Sequence, residues 1–131
     1  MHKGFIRIAA WLGALSVALG AFGAHGLKKM VPPETVAAFE TGVRYQFYHV
    51  VALLLVAILY EKFSKKWLHR AAISFLTGII LFSGSLYLLT ALKTTGQVGL
   101  AGLGLITPVG GVFFILGWIC IAVSVKTESR I

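Results

Sequence analysis

Residues Ala71–Leu92 form an unbroken run of 22 without a charge. About 20 mostly apolar residues, rising ~1.5 Å each, cross the hydrocarbon layer of a bilayer as a helix that satisfies its own backbone hydrogen bonds. Further runs follow the same rule. The sequence predicts spans over about 5–26 (apolar core Phe5–Ala24), 45–60, 71–92 and 107–125. The composition agrees: 58% hydrophobic and 12% charged residues, against about 45–50% and 25% in soluble domains. That balance excludes disorder, a nucleic-acid-binding arm and an ordinary water-soluble globule. The expected fold is all-α, a single integral membrane four-helix bundle over residues 1–131.

Two stretches need more than a hydropathy count. The uncharged run Thr94–Val125 is 32 residues long, too long for one upright helix. Gly96, Gly99, Gly102, Gly104 and Pro108 crowd its first part, so residues 94–106 are expected to be flexible or re-entrant before the fourth span. The first span also has the look of a signal peptide, with Lys3 and Arg7 ahead of an apolar core and small residues ending at Ala24. Phe22 suits a cut after Ala24 poorly, although a cut after Gly23 fits better, and the expectation is that the segment stays as a span.

The net charge of +8 comes from 12 Lys/Arg and four acidic residues. The basic residues flank the apolar runs rather than forming one face, so they read as topology signals and not as a nucleic-acid surface. Lys3, Arg7, Lys62, Lys65, Lys66, Arg70, Lys126 and Arg130 fall on one side. Lys28, Lys29, Arg44 and Lys93 fall on the other. The bias predicts that both termini are cytoplasmic. Tyr60 and Trp67 are expected at the inner interface, Tyr45 and Tyr48 at the outer one. Cys120 stands alone in an apolar run, which excludes an intrachain disulfide.

Helices in lipid associate by close packing and polar contacts, because the tails are as apolar as leucine. Gly13, Ser16, Gly20 and Gly23 step by three, four and three in the first span. Gly78 and Ser85, like Thr77 and Gly84, stand seven apart in the third. Gly110, Gly117 and Ser124 repeat every seven in the fourth. These are the expected helix-packing seams. Span two lacks one and is rich in Leu, Val and Ile, so it is expected to be the most lipid-exposed.

After Pro32-Pro33 the sequence predicts an amphipathic interfacial helix leading into span two, started by Pro33, whose missing N–H a first turn does not need. Val36, Phe39, Val43, Phe47 and Val50 make one apolar stripe. Glu40, Thr41, Arg44, Tyr45, Tyr48 and His49 fill the opposite half, with Glu40 and Arg44 placed for a helical ion pair. Polar groups entering the apolar zone point to function by default. The candidate site is therefore an outer polar cluster of His25, Glu40, Arg44, Gln46, Tyr48 and His49. The competing reading is that these residues only anchor the helix at the headgroups and tie span one to span two.

The strings Gly20-Ala21-Phe22-Gly23-Ala24-His25-Gly26, Tyr45-Gln46 followed by His49, Phe82-Ser83-Gly84-Ser85-Leu86-Tyr87, Thr107-Pro108-Val109-Gly110-Gly111 and Gly117-Trp118 occur in this order over nearly the whole chain. Together they resemble the YgdD/YwdK-like family of small bacterial membrane proteins, a domain of unknown function with a small eukaryotic transmembrane relative. The resemblance implies a four-span plasma-membrane protein and brings no activity, substrate or catalytic residue.

The residues themselves carry little chemistry. There is no Asp, and no HExxH, CxxC or GxSxG pattern, so no catalytic residue, metal ligand set or cofactor is expected. The expected function is that of a structural or accessory membrane component without catalytic activity, in contact with lipids and with a second copy or a membrane-protein partner. Two alternatives stand beside it. One is an oligomeric small-solute channel or transporter, favoured by the Gly-rich segment before Pro108. The other is haem held by His25 and His49.

Overall fold

A computed structural model describes residues 1–96 and 101–128. Helix α1 spans Lys3–Ala24 and α2 spans Pro33–Leu59, with a 3₁₀ turn at Leu27–Lys29 between them. Helix α3 (Lys65–Gly78) passes through a π-helical turn (Ile79–Ser83) into α4 (Gly84–Thr94). A short α5 (Ala101–Gly104) precedes α6 (Ile106–Glu128). No strand occurs among the described residues. The α1–3₁₀ segment, α2, the α3–π–α4 rod and α6 are each long and apolar enough to cross a membrane. Neighbouring rods run antiparallel, which leaves Met1 and Lys126 at the same end.

Local chemistry sets the ends of these rods. His2 Nδ1 accepts the Phe5 N–H at 3.0 Å, and the His2 N–H donates to the Ala57 carbonyl at 2.9 Å, pinning the start of α1 to the end of α2. The Pro32 carbonyl accepts from the N–H groups of Thr35 and Val36, so Pro33 sits in a first turn that needs no donor from it. The amphipathic segment and span two are one unbroken helix of 27 residues. At the other end Lys65 donates to Glu61 at 2.9 Å and holds that exposed carboxyl below its ordinary pKa. Gly96, at φ +76°, ends α4 in the left-handed region that glycine tolerates.

The expected re-entrant segment over 94–106 rests partly on 97–100, which lie outside the described residues, as does Arg130 of the basic flank. Its described part forms the end of α4, a turn at Thr95–Gly96 and α5.

The expectation that span two faces lipid most is overturned. In the most apolar stretch of each rod, 44% of α2 is buried, against 33% for α3–α4 and 17% each for α1 and α6. The small residues of α1 explain why. A Cβ on Gly13 would meet Val50, one on Gly20 would meet Val43, and one on Gly23 would meet Phe39. A glycine seam on one helix is a socket for branched and aromatic side chains on the next, so the buried partner needs no seam of its own. Phe5, Ala9, Val50, Leu53, Val56 and Phe75 share one core at the basic end.

The α3–α6 contact is tighter and reciprocal. Gly78 of α3 faces the Phe114 ring of α6, and Gly117 of α6 faces the Phe75 ring of α3. Gly110 lies against the backbone of Phe82. The π turn adds a residue to the rod. At its end Ser83 points to α2, where its hydroxyl donates to the Gly42 carbonyl, and just beyond it Ser85 points to α6, where it bonds Thr107.

Candidate functional site

Ala57 is tied to the start of α1, so the basic end of the bundle lies near Leu59. His49 and Gln46 lie 10 and 13 residues back along α2, about 15 and 20 Å at ~1.5 Å per residue. A hydrocarbon layer is ~30 Å thick. Both polar side chains therefore sit near mid-membrane, and both are buried, at 5% and 1% exposure.

Every polar side-chain atom of the two has a partner. Gln46 Nε2 donates to the Leu12 carbonyl of α1 at 2.9 Å, and its Oε1 accepts the Tyr87 hydroxyl of α4 at 2.7 Å. His49 Nδ1 lies 2.7 Å from the Tyr45 carbonyl, and Trp118 Nε1 of α6 lies 3.1 Å from His49 Nε2. A carbonyl only accepts and an indole N–H only donates. Nδ1 therefore carries the proton and Nε2 is bare, which fixes a neutral imidazole in one tautomer. The Phe114 ring stacks on it at 3.6 Å and 7°, with Phe75 and Trp118 angled around it. No buried side-chain nitrogen or oxygen among the described residues lacks a hydrogen-bond partner.

The predicted cluster is thus divided. His25 caps the far end of α1 and is exposed. Glu40, half-buried with its stem against Gly23, and exposed Arg44 and Tyr48 stay on the outward face of α2. Gln46 turns toward α1 and α4, and His49 toward α6. His49, expected on the polar half of the helix, sits instead on the packed side beside Val50. The expected Glu40–Arg44 ion pair is not formed, whereas Glu61 and Lys65, also four apart, do pair.

The structure does not bring His25 and His49 together. Gly23 packs on Phe39, and His49 lies ten residues further along α2, about 15 Å away at ~1.5 Å per residue. Both His49 nitrogens are also engaged. Among the described residues no three His, Cys, Asp or Glu gather to hold a metal.

The packing residues lie at helix contacts. Ser16 is buried with its hydroxyl on the Leu12 carbonyl, and Gly13, Gly20 and Gly23 line the α1–α2 contact. Gly78, Ser85, Gly110 and Gly117 line the contact of the third rod with α6. Sequence reasoning missed the partners Tyr87, Trp118 and Thr107. Their signal was present, because each lies in one of the strings quoted above for the family, but no local pattern says which helix a side chain meets. One opening lies beside this hub and another lies away from it. A groove of about 490 Å³ between α2 and α6 is lined by Tyr45, His49, Pro108, Val112 and Trp118. A cleft of about 400 Å³ at the far end is lined by Lys28, Pro33, Val36 and Glu40.

With the geometry in place, comparison with known proteins fixes the lineage. Residues 19–111 match the model of a family described as protein of unknown function (DUF423). The chain belongs to the DUF423 family. It is 43% identical to the UPF0382 membrane protein YwdK of Bacillus subtilis, over 93% of this chain and 95% of that one. A UPF0382 membrane protein of Haemophilus influenzae is 38% identical over 98% and 99%. The inner membrane protein YgdD of Escherichia coli is 38% identical over 84% and 79%. No solved structure matches the chain. This is therefore a DUF423 membrane protein, with a hydrogen-bonded hub at mid-membrane.

Proposed function

We infer that this DUF423 chain is a non-catalytic component of the bacterial plasma membrane, acting through lateral association with other membrane constituents. The observation that carries the reading is the state of the buried polar groups. Gln46, His49, Ser83 and Ser85 are each bonded across or along the helices. None is left free to carry a proton, hold a solute or attack a substrate. Intramembrane polar groups mark pathways when they line water; here they join α2 to α1, α4 and α6. The basic residues gathered at the end shared by Met1 and Lys126 support a cytoplasmic location for both termini.

The test is reconstitution into liposomes beside reporter fusions. The reading expects ion and small-solute flux no higher than in empty liposomes, and both termini reporting cytoplasmic. Sustained flux that Arg44→Ala abolishes would transfer the reading to a transporter. Termini on opposite faces would overturn the orientation.

A further inference from the structure

The outward face of α2 changes character along its length. Toward the basic end it shows Val51 and Leu55, as a lipid-facing helix should. Toward the other end it shows Glu40, Thr41, Arg44 and Tyr48. Twenty residues back from Leu59 bring the chain through ~30 Å of hydrocarbon to about Glu40. Arg44 then lies one turn, about 6 Å, inside that margin. The Thr41 hydroxyl is bonded to the Ala37 carbonyl. Glu40 and Arg44 have no ion-pair partner among the described residues, and the Tyr48 hydroxyl has no hydrogen bond there although the residue is 53% exposed. Unpaired charges at such depth are expensive, and in membrane helices they ordinarily find a partner.

The order of the charges says which partner fits. An anionic headgroup drawn to Arg44 would meet the Glu40 carboxylate one turn nearer the headgroup level. A second copy of the same face meets no such conflict. About a twofold axis, residue i of one copy contacts residue j of the other and the reverse. We propose that this face of α2 is where two copies of the chain associate side by side, about an axis along the membrane normal, with Glu40 of each copy paired with Arg44 of the other. The four charges sum to zero and each gains an opposite neighbour. Tyr48 and Val51 extend the contact into the apolar layer. The proposal rests on the reading of the chain as a laterally associating component and names one of its partners. Lys28 shares the outer cleft with Glu40 but makes no ion pair with it, so it is the internal control.

The experiment is energy transfer between labelled copies in liposomes of phosphatidylethanolamine and phosphatidylglycerol, with native mass spectrometry of the same preparations and helix content by circular dichroism. The wild type is expected to be dimeric, and Lys28→Ala equally so. Glu40→Arg and Arg44→Glu are each expected to lower the dimer population at least tenfold with helix content unchanged. Mixed one to one, these two variants should pair with each other, because one now presents two cations and the other two anions. The doubly exchanged variant should dimerise again. A monomeric wild type overturns the proposal, as do single variants that stay dimeric or a loss that mixing does not restore. So does an Arg44→Glu variant whose only change is release of a bound anionic phospholipid. A monomer that still shows no flux leaves the accessory reading standing while ending this one, so the two fail separately.

Discussion

The α1–α2 and α3–α6 contacts are written in the same alphabet and built to different tolerances. Both show small residues at helical spacing. Along α1, a Cβ on Gly13, Gly20 or Gly23 would stand 3.4, 3.5 and 3.0 Å from the nearest side-chain atom of α2. Along α6, a Cβ on Gly110 would stand 2.8 Å from the Phe82 Cα, with the backbone nitrogen nearer still. One contact can give by moving a valine or a phenylalanine. The other has backbone where a methyl group would go. Periodicity of small residues therefore marks which faces meet, while the group opposite each glycine sets how close the axes come.

Substitutions can break or sharpen that difference. The largest effect is expected for Gly110→Ala, because no rotamer change relieves a clash with backbone. Loss of stability should reach or pass the upper end of the ~1–3 kcal/mol typical of overpacking, read as a lowered melting temperature or a loss of folded protein in detergent. Gly117→Ala, opposed by the fully buried Phe75 ring, should fall within that range. If both behaved like exposed glycines, the tight contact would be disproved.

An intermediate effect is expected at the hub. Gln46→Leu removes bonds to Leu12 and Tyr87 and leaves the Tyr87 hydroxyl half-buried without its acceptor. A loss of about 1 kcal/mol is expected, given interhelical hydrogen bonds of ~0.6 to 2 kcal/mol in membranes. Pairing it with Tyr87→Phe should recover part of that loss, which a double-mutant cycle reads directly. Strict additivity of the two variants would show that the bond contributes nothing.

The smallest effect is expected for Gly20→Ala. Its added methyl meets Val43 at an ordinary contact distance of 3.5 Å, and alanine favours the helix by up to ~1 kcal/mol. The melting temperature should hold or rise slightly. Gly20→Leu, which the socket cannot take, should lower it. A marked loss in Gly20→Ala would make the two contacts alike.

Much of the bundle was legible in the sequence, for physical reasons. Charge-free runs such as Ala71–Leu92 have few alternatives to a spanning helix, and Pro33 is a start signal wherever an apolar stripe follows it. The hub was legible only in part. Gln46 and His49 stood out as polar residues in an apolar helix, but their directions depend on neighbours far along the chain. His49 is turned inward by Phe114 and Trp118, more than 60 positions away, and Gln46 by Leu12 and Tyr87. The burial of α2 is hidden from the sequence for the same reason, since its sockets are cut in α1. Helix α2 offers Val43 and Val50 as the fillings, and branched residues look alike whether they face lipid or a glycine.

Polar groups at mid-membrane depth bind α2 to its neighbours, and nitrogen-15 NMR of histidine-labelled protein in lipid bilayers reads the state of one of them. With His49 assigned through a His49→Asn control, the expected signal is that of a neutral imidazole protonated at Nδ1, whose Nε2 resonance moves when Trp118→Phe removes the indole donor. An imidazolium, an Nε2-protonated tautomer or an Nε2 signal indifferent to Trp118 would contradict it.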